Sequence, residues 1–343
     1  MKILLVKTSS LGDVVHNLPV ASDIRARFPQ ARIDWVVEEG FADIPRLHPA
    51  VSRVIPVAVR RWRRALLSAA TWRELRAYRD AVRAEAYDLV LDTQGLIKSA
   101  LLARQARGKR AGYAAEAARE PLAARFYDAA YVIPKNLHAV ERNRWLAAAA
   151  FGYEPNLPLD YGIAAVPLAA PWLPAQPYCV LLTASSRADK LWPEADWLAL
   201  AAALNARGLA CVLPGGSAEE RDRAARLAGG MAQAVAAPPM GIAELAQLLA
   251  GARLVVGVDT GLSHIAAALG RLTFCLFAGS QPELTGVYAG ETAINLGGAG
   301  APPTAAEVVA AIEDHVGRAS ARQQAPVNRQ SRAEARPTAR PAE

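Results

Sequence analysis

Short continuous apolar runs alternate along this chain with stretches whose apolar residues recur at helical spacing, and polar turns separate the two. Runs at 3–6, 33–37, 54–57 and 89–91 read as strands buried on both faces. Between and after them, 14–28, 71–86, 97–106 and 138–151 read as helices. Past Gly152 the pattern stops, and Pro155, Pro158, Pro167, Pro171, Pro174 and Pro177 follow in close succession. The alternation then restarts. Strands are predicted at 178–182, 209–213, 254–258 and 273–277, and helices at 193–207, 218–228, 242–250, 261–269 and 304–316. Pro193 suits the first turn of its helix and Gly208 its end. Strand–helix alternation on both sides of one break predicts an α/β protein of two parallel-sheet domains, with ligands at the carboxyl ends of the strands. The expected division is 1–160, a proline-rich connector at 161–177, a second domain at 178–316 and a tail at 317–343. The last helix is expected to cross back onto the first domain.

Composition narrows this only a little. A chain of 343 residues with 52% hydrophobic and 21% charged residues is globular and large enough for two cores. No apolar run approaches a membrane span, and the run at 3–6 is too short for a secretory signal. Cys179, Cys211 and Cys275 lie far apart in apolar sequence, without metal-ligand spacing, and read as buried reduced thiols. The net charge of +7 is unevenly placed. From Arg318 onward six arginines stand against Glu334 and Glu343, so +4 sits there and +3 on the rest. That tail has almost no large apolar residue and is expected to be disordered.

Two junctions carry the chemistry. After the apolar run at 254–256 comes Gly257-Val258-Asp259-Thr260-Gly261-Leu262-Ser263-His264, leading straight into an alanine-rich helix. After the run at 3–6 comes Lys7-Thr8-Ser9-Ser10-Leu11-Gly12-Asp13, with a helix expected from Val14. A strand that turns tightly into a helix aims unpaired N–H groups and a partial positive charge at one point, an anion site. One such site in each half implies two ligands meeting in a cleft, and transfer between them. No G-x-G-x-x-G, no phosphate-loop motif and no D-x-D pair is present. An anionic ligand must then be met by protein cations and N–H groups. Thr183-Ala184-Ser185-Ser186-Arg187-Ala188-Asp189-Lys190 supplies hydroxyls and a compact charge between a strand and a helix.

These segments, together with Trp35-Val36-Val37-Glu38-Glu39-Gly40-Phe41, Arg60-Arg61-Trp62-Arg63-Arg64 and Asp92-Thr93-Gln94-Gly95-Leu96-Ile97-Lys98-Ser99, closely resemble the heptosyltransferases of glycosyltransferase family 9. The resemblance runs in register from residue 1 to about 315. It implies a GT-B fold, two facing Rossmann-like domains. It also implies inverting transfer of L-glycero-D-manno-heptose from ADP-heptose to Kdo of Kdo2–lipid A in lipopolysaccharide inner-core biosynthesis. The enzyme is expected to be a monomer, peripheral on the cytoplasmic face of the inner membrane, with no nucleic-acid partner and no metal or cofactor; ADP-heptose is a substrate.

The resemblance carries over onto single positions. The donor side is expected at Ser185, Ser186, Lys190, Glu220, Met240, Asp259, Thr260, Gly261 and His264. Glu220 would accept from the ribose, Met240 would pack on adenine, and Asp259 would meet the heptose hydroxyls. The acceptor side is expected at Ser10, Gly12, Arg60, Arg61, Arg63, Arg64, Lys98 and Arg119, cations suited to carboxylates and phosphates. Asp13 is the expected general base and Lys190 the group that stabilises departing ADP. Three alternatives stay open: the sister enzyme that adds the second heptose, a nucleotide-sugar epimerase of the same architecture, and a nucleic-acid binder resting on 60–64 and the tail.

Overall fold

The computed structural model describes residues 1–324. Among the described residues, twelve strands form two parallel sheets. The first holds β1 (Lys2–Val6), β2 (Arg32–Glu38), β3 (Val51–Val57), β4 (Ala86–Asp92), β5 (Arg107–Tyr113) and β6 (Ala129–Tyr131), in the order β3-β2-β1-β4-β5-β6. The second holds β7 (Tyr178–Leu182), β8 (Ala210–Leu213), β9 (Ala234–Ala236), β10 (Leu254–Val258), β11 (Thr273–Phe277) and β12 (Ala293–Gly297), in the order β12-β11-β10-β7-β8-β9. Counted from its own first strand, each sheet repeats the doubly wound order, whose direction reverses beside that strand. The crevices therefore open at the carboxyl ends of β1 and β4 in one domain and of β7 and β10 in the other. The four segments singled out in sequence for their chemistry follow these four strands.

Side-chain alternation explains how the sheets are covered. In β1, Ile3 and Leu5 enter one core while Leu4 and Val6 enter another on the opposite face, against Tyr78, Val82 and Leu102. In β7, Val180 and Leu182 face one way and Cys179 and Leu181 the other. The inward faces of the two sheets belong to one continuous apolar cluster. Its members are almost all fully buried, and each large aliphatic one contributes about 1.5–3 kcal/mol. The two domains thus share a core on the cleft side, where two separate cores were expected.

Several expectations need correction. The helix predicted over 14–28 is two helices, Leu11–Val15 and Leu18–Arg27, the second with Pro19 in its first turn. The helix predicted over 71–86 is Ala69–Arg83, because 86 begins β4. The last helix, Ala305–Gln324, outruns the predicted end at 316 and does not cross to the first domain. Ala305, Val308 and Ile312 enter the core of the second domain, with Asp196 Oδ1 accepting from the Ala305 N–H at 3.2 Å. Residues 317–324 therefore continue a helix, and the rest of the predicted tail lies outside the described residues. The three cysteines are free and buried, as expected. Cys179 and Cys211, distant in sequence, are partners in register on β7 and β8, with 3.5 Å between sulfurs.

Candidate active site

The two domains meet where two helix N-termini cross. The helix Leu11–Val15 follows β1 and the helix Gly261–Ala268 follows β10. Their approach leaves no room for a Cβ at position 261 and little at position 12. A Cβ on Gly261 would stand 2.6 Å from Leu11 Cγ, and one on Gly12 would stand 3.0 Å from His264 Cδ2. Across this crossing His16 Nε2 lies 3.1 Å from His264 Nδ1. His138 joins them, its ring 5.2 Å from that of His16 and stacked on Tyr288. Burial pushes His16 well below the ordinary histidine value, and the neighbouring His264, His138 and Lys7 push it further. Burial likewise lowers His138 to about 4.

Above the crossing lies a cavity of about 440 Å³. Ser10, Gly12, Asp13, Gln94, Arg119, Arg142 and Asn143 line it from the first domain, and Lys190, Asp259 and His264 from the second. Asp13 sits in the first turn of its helix, because the helix begins at Leu11 and not at Val14. Its Oδ2 accepts from Ser10 N–H at 2.8 Å and faces Arg119 at 3.7 Å. Every polar contact of Asp13 among the described residues falls on Oδ2, and Oδ1 carries none. Asp13 therefore caps its own helix and presents a carboxylate oxygen to the cavity.

The loop carrying Asp13 is held from β4. Gln94 Oε1 accepts from the N–H groups of Thr8 and Ser9 at 3.0 and 3.1 Å, and its Nε2 donates to Ser9 O at 2.6 Å. Lys98 Nζ donates to Ser9 Oγ at 2.9 Å. Beneath the loop, Lys7 Nζ donates to Thr93 O at 2.8 Å and lies 3.5 Å from Asn143 Oδ1. Burial lowers the Lys7 ammonium from its ordinary value, while Asp13 and Asp92 pull it the other way. Lys7 and Gln94 stood in recognised segments without an assigned role. Arg142 and Asn143 were missed altogether; they sit on an alanine-rich helix, Ala139–Phe151, where nothing in spacing marks them.

On the opposite wall, Lys190 Nζ lies 2.6 Å from Asp259 Oδ2, and Ser280 Oγ donates to the same oxygen at 2.6 Å. His264 Nε2 stands 3.9 Å from Asp259 Oδ1. Burial alone would raise this carboxyl, but His264, Lys190 and Ser280 overcome it and hold Asp259 well below the usual carboxylate range. Ser185 Oγ donates to Asp259 O at 3.5 Å, joining the 183–190 loop to the same turn.

Not every expected residue lines this cavity. Ser185, Ser186, Glu220, Met240, Thr260 and Gly261 do not. Glu220 Oε2 accepts from Gly216 N–H at 2.8 Å and Ser217 N–H at 3.1 Å, closing the capping box of the helix Ala218–Gly229. Met240 packs against the shared core. Of the four arginines at 60–64 none reaches the cavity. Arg61 is matched by Glu39 at 3.1 Å and Glu74 at 2.9 Å, and Arg60 lies over the Phe41 ring at 5.4 Å. Lys98 and Arg63 line a separate groove beside the site. No cluster of three or more histidine, cysteine or carboxylate side chains is placed to hold a metal among the described residues.

Comparison with known proteins identifies the family of the chain. The family model described as glycosyltransferase family 9 (heptosyltransferase) matches residues 75–309. Lipopolysaccharide heptosyltransferase 1 of Pseudomonas aeruginosa is 49% identical over 300 residues, covering 87% of this chain and 84% of that one. The structure titled E. coli heptosyltransferase WaaC with ADP superposes with a TM-score of 0.86 at 44% identity, over 92% of this chain and 100% of that one. A second structure of that enzyme, with ADP-2-deoxy-2-fluoro heptose, superposes with a TM-score of 0.81 at 42% identity, over 93% and 100% of the two chains.

Proposed function

This chain belongs to glycosyltransferase family 9, the heptosyltransferases, and from that membership we propose that it transfers L-glycero-D-manno-heptose from ADP-heptose to Kdo of Kdo2–lipid A in lipopolysaccharide inner-core assembly. The observation that carries the reading is that Asp13 from one domain and Lys190, Asp259 and His264 from the other line a single cavity. A donor bound after β7 and β10 and an acceptor bound after β1 and β4 would meet there.

The reaction in this reading is one inverting displacement. Asp13 Oδ1 takes the proton of the acceptor hydroxyl, the freed oxygen attacks the anomeric carbon, and the bond to the β-phosphate breaks with its electron pair on ADP. No covalent enzyme intermediate is needed, so one carboxylate suffices. Lys190 is paired with Asp259, so an incoming diphosphate competes with that carboxylate for the ammonium. The exchange turns Asp259 towards sugar hydroxyls and leaves Lys190 on the anion, where it stabilises the charge of the departing ADP. No metal or cofactor enters this scheme. The protein works as a monomer at the cytoplasmic face of the inner membrane, where its acceptor is anchored; no helix among the described residues is long and apolar enough to cross a membrane.

Incubation with ADP-heptose and Kdo2–lipid A, followed by mass spectrometry, tests the reading. One added heptose is expected. Addition only to an acceptor already carrying one heptose would favour the sister activity. Isomerised or hydrolysed donor in the absence of acceptor would favour an epimerase.

A further inference from the structure

The segment between β3 and β4 does not line the cavity, and its charge is strongly one-sided. Between residues 60 and 83 eight arginines stand against Glu74 and Asp80, a net +6. Residues outside this segment and before 318 are therefore net negative. Glu74 is already held by Arg61 and by Trp62 Nε1. Arg63, Arg64, Arg73, Arg76 and Arg79 are exposed and form no ion pair among the described residues.

Amid these cations the chain presents large apolar side chains to solvent. Leu66 is 57% exposed, Leu67 102%, Trp72 60% and Leu101 44%. They are not a loose loop. Trp72 Nε1 donates to Leu66 O at 2.8 Å, which ties the turn to the helix Ala69–Arg83. Thr71, Tyr78 and Val82 anchor the other side of that helix in the protein. Behind the exposed side chains lies a largely apolar groove of about 660 Å³, floored by Trp62, Leu75, Tyr78 and Leu102.

We propose that this face, the turn at 63–68 with the outer side of the helix Ala69–Arg83 and Leu101, is the surface by which the protein settles on an anionic phospholipid bilayer. Unpaired guanidinium groups match headgroup phosphates, and leucine and tryptophan side chains in their midst match the acyl boundary below. A nucleic acid would satisfy the cations and leave the leucines in water; an apolar protein partner would do the reverse. Lys98 lines the groove and donates to Ser9 Oγ in the loop that carries Asp13, so the face adjoins the acceptor side of the cavity. A lipid-anchored acceptor could then reach Asp13 without leaving the bilayer; that consequence rests on the proposed function, while the docking surface does not.

Vesicle flotation of the full chain tests the surface, using phosphatidylcholine vesicles and two-to-one phosphatidylcholine–phosphatidylglycerol vesicles at an ionic strength of about 0.1 M. The protein should float with the anionic vesicles and not with the neutral ones. Leu66→Ser/Leu67→Ser and Arg76→Ala/Arg79→Ala should each weaken binding on the order of tenfold or more. All four residues are exposed or at the groove's rim, and unchanged melting temperatures would establish that the variants fold. Transfer to a deacylated, water-soluble acceptor should be unaltered in both. Variants that float like the parent, or a parent that ignores anionic vesicles, would overturn the surface, whatever the transfer assay shows. Vesicle binding lost in the variants with no transfer by the parent would leave the surface standing and the proposed reaction refuted.

Discussion

His16 Nε2 lies 3.1 Å from His264 Nδ1, a contact between the helix that follows β1 and the helix that follows β10. One ring stands on each domain, so one hydrogen bond spans the crossing beneath the cavity. Two imidazole nitrogens can share a proton only if one of them is unprotonated. The contact therefore depends on at least one ring staying neutral.

That dependence sets a pH profile. Burial holds His16 below the ordinary histidine value of 6.5 and lowers His138 from 6.5 to about 4. The unfolded chain then binds these protons at a higher pH than the folded one. Stability is full above about 6.5 and is lost as pH falls through the window towards the folded values, by up to about 1.4 kcal/mol per pH unit for each such group. Melting temperature should fall between pH ~7.5 and ~5, before most carboxylates titrate. His138→Asn keeps an acceptor for the Val140 N–H and removes one titrating ring, so its profile should be flatter. An equally steep profile in that variant would assign the loss to other groups.

Asp13→Asn separates base from binding. The amide keeps an oxygen able to accept from Ser10 N–H, so the loop and the helix start should persist. It cannot take a proton at neutral pH. We expect kcat to fall by about 10²–10⁴-fold while ADP affinity, measured by calorimetry, changes little. Near-normal turnover would remove Asp13 from the role of base.

The two domains were legible in the sequence because their strands are buried on both faces and read as continuous apolar runs. β5, Arg-Gly-Lys-Arg-Ala-Gly-Tyr, was not legible: its first residues are exposed and charged, and only the Ala111–Tyr113 end is buried. β6 and β9 span three residues each and leave no periodicity to find. The site followed the same division. Asp13, Lys190, Asp259 and His264 stand next to strand ends, where topology directs them into the crevice. Gln94 acts through hydrogen bonds to a loop far away in sequence, and the pairing of Lys190 with Asp259 joins separate turns. Such relations depend on strand order, which local pattern does not encode.

Lys190 tests how the donor's charge is met. Lys190→Ala removes the cation beside Asp259 Oδ2 and leaves that carboxylate with Ser280 and His264. The KM for ADP-heptose should rise and kcat should fall together, because in the proposed reaction the ammonium serves the bound diphosphate and the departing ADP alike. The parent protein should keep its turnover in EDTA. Metal-reversible loss of activity on chelation would show that a cation other than Lys190 carries this charge.

The crossing of the two helices makes the sharpest structural demand, and it can be broken and repaired. Gly261→Ala introduces a Cβ 2.6 Å from Leu11 Cγ, closer than carbon atoms approach, so one side must move. Leu11 precedes Gly12 and Asp13 on the opposite helix, and displacing it shifts Asp13, the proposed base, relative to Lys190 and Asp259. A displacement of about 1 Å at a reacting centre can cost about 10²-fold in rate. We therefore expect Gly261→Ala to lower kcat strongly while the ADP affinity of the full chain responds less. The obstructing atoms belong to a side chain and not to backbone. Leu11→Ala should restore part of the lost turnover when combined with Gly261→Ala, although by itself it removes packing from the shared core. A double variant no better than Gly261→Ala alone would mean that the lost activity arises within the turn after β10 and not from the approach of the two domains.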